Sequence, residues 1–253
     1  MDGLDKLHKG LTEEIRRSYL PVAKQHEKEL GQSLLNTLLD DPGPKHIVRV
    51  GTPKEKYLKR IFDGFSEIHS SYQALTDIEI YINRFPFSST SVTKPRYLRY
   101  HVENYFNEMY LLKERLLAFL TIIGRSFRKD PRHSAVLAAT RPLFKIVSDS
   151  LEDVVDIRGR HVHQKRYTDS QIDRLELMEL LSRATKKDDE LAATLKPFYQ
   201  YEYRRIRSEW KAQIKRNNET VNKLLMTYSD NLHPIFFSPK TNEFIYSAST
   251  LST

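Results

Sequence analysis

The chain has 253 residues, with 41 Lys and Arg against 33 Asp and Glu, for a net charge of +8. Hydrophobic residues make up 39% and charged residues 29%, a balance that sustains a core and excludes a disordered polyelectrolyte. The absence of cysteine excludes disulfides, thiolate metal sites and a Cys nucleophile, and 8 glycines without a Gly-rich phosphate loop leave no Rossmann or Walker-type nucleotide site.

In chain order, residues 4 to about 38 carry apolar residues at helical spacing (Leu11, Ile15, Tyr19, then Leu30, Leu34, Leu38), interrupted by Pro21. Asp40-Asp41-Pro42-Gly43-Pro44 stops any helix, since two prolines and a glycine cannot continue it. His46 to Val50 reads as a short strand or an extended linker. From Pro53 to about Asn83 an apolar residue recurs every three or four positions, and Pro86 to Ser91 reads as a polar connector. Pro95 sits near the start of the strongest helix, which runs to about Arg128 with Tyr105, Leu112, Leu116, Phe119, Ile123 and Phe127 on one stripe. Asp130-Pro131 closes it. Further helices are predicted over 134–157, with a possible kink at Pro142, over 169–185 from an Asp169 or Ser170 cap, and over 188–229. The tail Pro234 to Ser247 has two apolar runs around a Pro/Asn turn, which predicts a small β-hairpin.

The first residues have no apolar signal core, and the longest apolar stretch, Leu116 to Ile123, is far short of a membrane span. The expectation is a cytoplasmic protein with no membrane partner. A basic balance hints at a polyanion.

The stretch that can carry chemistry is Asp156-Ile157-Arg158-Gly159-Arg160-His161-Val162-His163-Gln164-Lys165-Arg166-Tyr167. On a continuous helix, residues five apart point about 140° from each other, so Arg158 and His163 would not face one target. Gly159 lets the backbone leave helical geometry and bring both to one pocket. A guanidinium that grips a phosphate beside an imidazole is a minimal kit for cleaving RNA. His161 and His163 would be adjacent metal ligands on a strand, but the surrounding cations repel a divalent ion, and no metal or cofactor is expected. Arg158 could instead pair with Asp153 or Asp156 near a helix end. Glu103 could orient Arg158 or simply be a surface carboxylate.

Arg158, four intervening residues and His163 resemble the R-x(4–6)-H motif of the HEPN superfamily, whose members are α-helical and dimeric and include many metal-independent ribonucleases. The predicted long helices over 54–83 and 94–128, followed by a third ending in the motif, are similar in arrangement. The segment His101 to Phe106 followed by Leu111 to Leu120 is similar in character to small bacterial branches of that superfamily. The resemblance covers about residues 54 to 185. It implies an all-α antiparallel bundle, a homodimer in which two motifs share one cleft, Arg158 and His163 as catalytic residues, and His161, Arg160, Glu103 and Tyr167 in support. It also implies a setting in toxin–antitoxin or phage-defence systems, with an antitoxin or operon partner.

A second basic feature runs from Tyr199 through Tyr201, Tyr203, Arg204, Arg205 and Arg207 to Trp210, Lys211, Lys215 and Arg216. Aromatics interleaved with Arg suit phosphate contacts and base stacking on single-stranded RNA, while a solvated helix face with Tyr packed inward gives the same pattern. Lys165, Arg166, Arg204, Arg205 and Arg207 are the expected RNA contacts. The domain organisation expected is an N-terminal helical extension and linker (1–53), a HEPN-like core (54–185) and a long basic helix with the hairpin (186–253) packed on it. The leading function is an endoribonuclease in which the 2′-hydroxyl attacks the adjacent phosphate. The alternatives are a non-catalytic HEPN module that binds RNA, nucleotide or a partner protein, and a helical adaptor.

Overall fold

The structure, a computed structural model, describes residues 6–19, 51–86, 91–152, 169–184 and 190–247. Among these residues the protein is all-α, with six helices and no strand: α1 (6–19), α2 (Pro53–Tyr81), α3 (Lys94–Ser126), α4 (His133–Ser150), α5 (Ser170–Ala184) and α6 (Glu190–Phe236). The expected strand over 46–50 and residues 153–157 of the helix expected over 134–157 lie outside the described residues; α4 itself ends at Ser150.

The helix starts are written locally. Thr52 and Glu55 form a capping box: the Thr52 amide donates to Glu55 Oε2 at 2.7 Å and the Glu55 amide to Thr52 Oγ1 at 3.2 Å. Pro53 takes the first helical position, where its missing N–H is no loss. At α5 the cap is Asp169, whose Oδ1 accepts the amides of Gln171 and Ile172 at 2.8 and 3.0 Å. Helix α4 continues through Pro142.

Two compact units share the chain, and both are discontinuous. The first comprises Met1–Glu67, Ala118–Leu143 and Leu225–Thr253, the second Ile68–Leu117 and Phe144–Leu224. The core of the first unit is aromatic. Phe65 lies 6.0 Å from Phe119, Phe119 lies 6.2 Å from Phe236, and Phe236 stacks on Phe244 at 6.2 Å between ring centroids. Helices α2 and α3 approach closely at Gly64, where a Cβ would meet the Phe119 ring at 2.8 Å. Arg132 forks onto the buried Asp130 carboxylate at 3.0 and 3.1 Å and also donates to the Tyr246 carbonyl at 3.0 Å.

The second unit mixes an apolar core with long-range polar ties. Asn218 of α6 accepts from the Tyr105 hydroxyl at 2.9 Å and donates to the Leu75 carbonyl at 3.3 Å and Glu79 Oε2 at 3.0 Å. One side chain thereby joins α2, α3 and α6. Arg115 donates to the buried Ser71 hydroxyl.

Of the expected C-terminal hairpin, one antiparallel bridge forms and no strand among the described residues. Ile235 and Phe236 belong to α6, because with Leu225, Tyr228 and Leu232 they continue its buried stripe at three- and four-residue steps. Beyond Phe236 the chain makes a tight turn closed by one antiparallel bridge, Phe237 to Phe244, with Asn242 at φ 53°. No strand forms among the described residues.

Candidate nucleic-acid interface

Arg158, Arg160, His161, His163, Lys165, Arg166 and Tyr167 lie outside the described residues. The helices on either side of this stretch are described: α4 ends at Ser150, and α5 begins at Ser170 under its Asp169 cap. Glu103 is half-buried on α3.

The anchoring of α5 involves a residue that the sequence pattern does not single out. Arg99, on α3 and 6% exposed, donates to Asp173 Oδ1 at 2.6 Å and to Glu176 Oε1 at 3.2 Å, both on the first turns of α5. Burial works against its charge, and the two carboxylates more than offset that, holding the guanidinium above its ordinary pKa. Farther along α5, the Tyr199 hydroxyl of α6 donates to Glu179 Oε2 at 2.9 Å, and Arg183 pairs with the same carboxylate at 2.7 Å. The helix that comes after the motif stretch is therefore fixed in register to both α3 and α6.

Beside Arg99, His101 is buried, with a Tyr97 ring at 4.4 Å, Tyr100 at 5.3 Å and Tyr81 at 5.7 Å. Its Nδ1 is enclosed and has no hydrogen-bond partner, and burial lowers its pKa. This imidazole stays neutral at physiological pH. A histidine at this point of α3 offers no sequence signal beyond its type.

On α6 the structure separates aromatics that look alike in sequence. Tyr199 and Tyr203 are buried, while Tyr201 is 63% exposed and Trp210 meets Phe106 edge-on at 6.2 Å. The cations separate as well. Arg205 bonds Glu202 Oε2 at 3.0 Å and Glu209 Oε1 at 2.6 Å, which uses both acidic side chains between Tyr199 and Asn218. Those contacts raise the pKa of Arg205 and, through the Arg205 hydrogen bond, lower that of Glu202. Arg207 lies over the Tyr203 ring at 5.4 Å, with Lys94 at 5.5 Å from the same ring. Arg204, Lys211 and Lys215 are exposed. No carboxylate among the described residues pairs with any of the three.

The first unit carries a shallow surface groove of about 470 Å³ lined by Lys56, Lys59, Arg60, Asp63, Gly64, Glu67 and Ile122. Its charges are internally balanced in part, since Lys59 pairs with Asp63 at 2.6 Å. It offers no buried polar group and no enclosed space, and it is a weaker candidate than α6.

Among the described residues, no cluster of three or more His, Asp or Glu side chains gathers as a metal site, and no helix is long and apolar enough to cross a membrane. Comparison of the chain with protein-family models, with curated proteins and with solved structures finds no match in any of the three.

Proposed function

We propose that the protein is a metal-independent endoribonuclease of HEPN type, acting as a homodimer with Arg158 and His163 as its catalytic pair. The observation that carries this reading is the Arg158-x4-His163 spacing, placed in sequence between α4 and α5 of a chain that is all-helical among its described residues and has a net charge of +8. The tie of α5 to α3 through Arg99 adds support, because a catalytic stretch works only when its flanks are held.

In this mechanism the 2′-hydroxyl oxygen attacks the adjacent phosphorus and the bond to the 5′-oxygen of the next nucleotide breaks. A 2′,3′-cyclic phosphate and a 5′-hydroxyl result. His163 takes the 2′-hydroxyl proton, water protonates the departing 5′-oxygen, and Arg158 neutralises charge on the phosphorane-like transition state. A two-fold axis would bring two such pairs to one cleft.

The test is cleavage of total RNA in EDTA by wild type and His163→Ala, with the product ends identified. Wild type should yield cyclic phosphate ends, and the variant should be slower by roughly 10² to 10⁴-fold. Activity that appears only with a divalent metal, or that survives the substitution, overturns the assignment.

A further inference from the structure

We infer that the outer face of α6 from Tyr201 to Lys215 is a binding track for the backbone of single-stranded RNA, with Arg204, Lys211 and Lys215 as its phosphate contacts. At about 100° per residue, these three cations fall within a band of roughly 40° on the helix. At about 1.5 Å per residue they are spaced some 10 Å and 6 Å along it, a run that an extended polyanion can follow. All three are exposed on α6, a helix of 47 residues.

The charges beside the track leave it cationic. Glu202 and Glu209, the two acidic residues of this part of α6, both lie against Arg205, which offsets one of their two charges; Arg204, Arg207, Lys211, Lys215 and Arg216 stand against the one that remains. The next acidic side chain is Glu219, one turn beyond Lys215, and it marks the end of the track.

Tyr201 identifies the polyanion. It is 63% exposed on the same side of the helix, about one turn before Arg204, while its neighbours Tyr199 and Tyr203 are buried. An aromatic face open to solvent beside a row of cations stacks an unpaired base, which a duplex or an acidic peptide does not present. That the nucleic acid is RNA rests on the proposed function; the track itself does not.

The experiment uses the full chain carrying His163→Ala, so that substrate survives, and measures the anisotropy of a labelled single-stranded RNA across a series of salt concentrations. Combined substitution of Arg204, Lys211 and Lys215 by Gln should weaken binding about tenfold and lower the salt slope by about 2, at roughly 0.7 per phosphate for three contacts. Tyr201→Ala should also weaken binding about tenfold, but leave the salt slope in place, since stacking releases no counterions. Unchanged circular dichroism confirms that the variants fold. Binding by the triple variant equal to its parent overturns the track. So does tighter binding of duplex RNA, or competition by polyglutamate equal to that of RNA. A wild-type protein that leaves RNA intact yet binds it through these residues overturns the nuclease and leaves the track standing. Cleavage that is indifferent to the triple substitution, with RNA binding equally unaffected, does the reverse.

Discussion

The two units of the chain hold their helices together by different means. In the first, Phe65, Phe119, Phe236 and Phe244 meet ring to ring, and Tyr57 packs edge-on to Phe127 at 6.4 Å. In the second, Asn218, Arg99 and Tyr199 connect helices through hydrogen bonds between residues 20 to 143 positions apart. Apolar packing is close to isotropic, so it rewards volume and tolerates small slips. A hydrogen bond weakens steeply with angle and distance, so it fixes rotation and translation of one helix against another. Helix α5, whose register Arg99 fixes against α3, follows the Arg158 to His163 stretch in sequence.

The sharpest way to break that contrast is to remove volume from the first unit. Phe119→Ala should cost about 3–5 kcal/mol, because a large cavity opens where Phe65, Phe236 and Gly64 now converge. Equilibrium denaturation measures it, and a loss below about 1 kcal/mol would mean that the aromatic core does not carry this unit. In the second unit, Asn218→Leu keeps the branched heavy-atom skeleton but removes the hydrogen bonds to Glu79, the Leu75 carbonyl and the Tyr105 hydroxyl. The expected loss is about 1–3 kcal/mol, with faster amide exchange at the facing turns of α2 and α3. Wild-type stability in this variant would sink the idea that polar ties set the register there.

The smallest effect is set by pH. His101 in the second unit has its pKa lowered by burial, and His233 in the first is lowered by burial and by the nearby Lys6 charge. The unfolded chain takes up these protons near pH 6.5, and the folded chain resists until a lower pH. Stability is therefore full above about pH 6.5 and falls as pH drops below it. Denaturation midpoints measured on either side of that value should show the decline, and His101→Phe should flatten part of it. An identical slope in the variant would mean that its protonation is not coupled to folding.

Much of the fold is legible in local pattern. The helices over 53–83 and 94–128, the Asp169 cap and the inward stripe from Tyr105 to Phe127 come from periodicity and capping chemistry. The C-terminal tail misleads because Ile235-Phe236-Phe237 satisfies a strand pattern and a helix pattern equally over three residues. The helix wins because 45 preceding residues already propagate it, and elongation needs no new nucleus. The Arg99 pairing is hidden from local pattern, since its partners lie 74 and 77 residues away. On α6 the interleaved aromatics are legible as a pattern, but only burial shows that Tyr199 and Tyr203 belong to the core and Tyr201 to the surface. The Arg158 and His163 pair stands on sequence alone.

The double ion pair of Arg205 has a consequence for kinetics as well as for affinity. One guanidinium between two carboxylates leaves a single net negative charge, and the five further cations between Tyr201 and Arg216 outweigh it. The potential outside α6 is then shaped by cations that have no carboxylate partner, and it reaches outward for about one Debye length, some 8 Å at physiological ionic strength. Within that distance a negatively charged chain is drawn in before any contact forms, and the rate of capture depends on ionic strength more steeply than the rate of release.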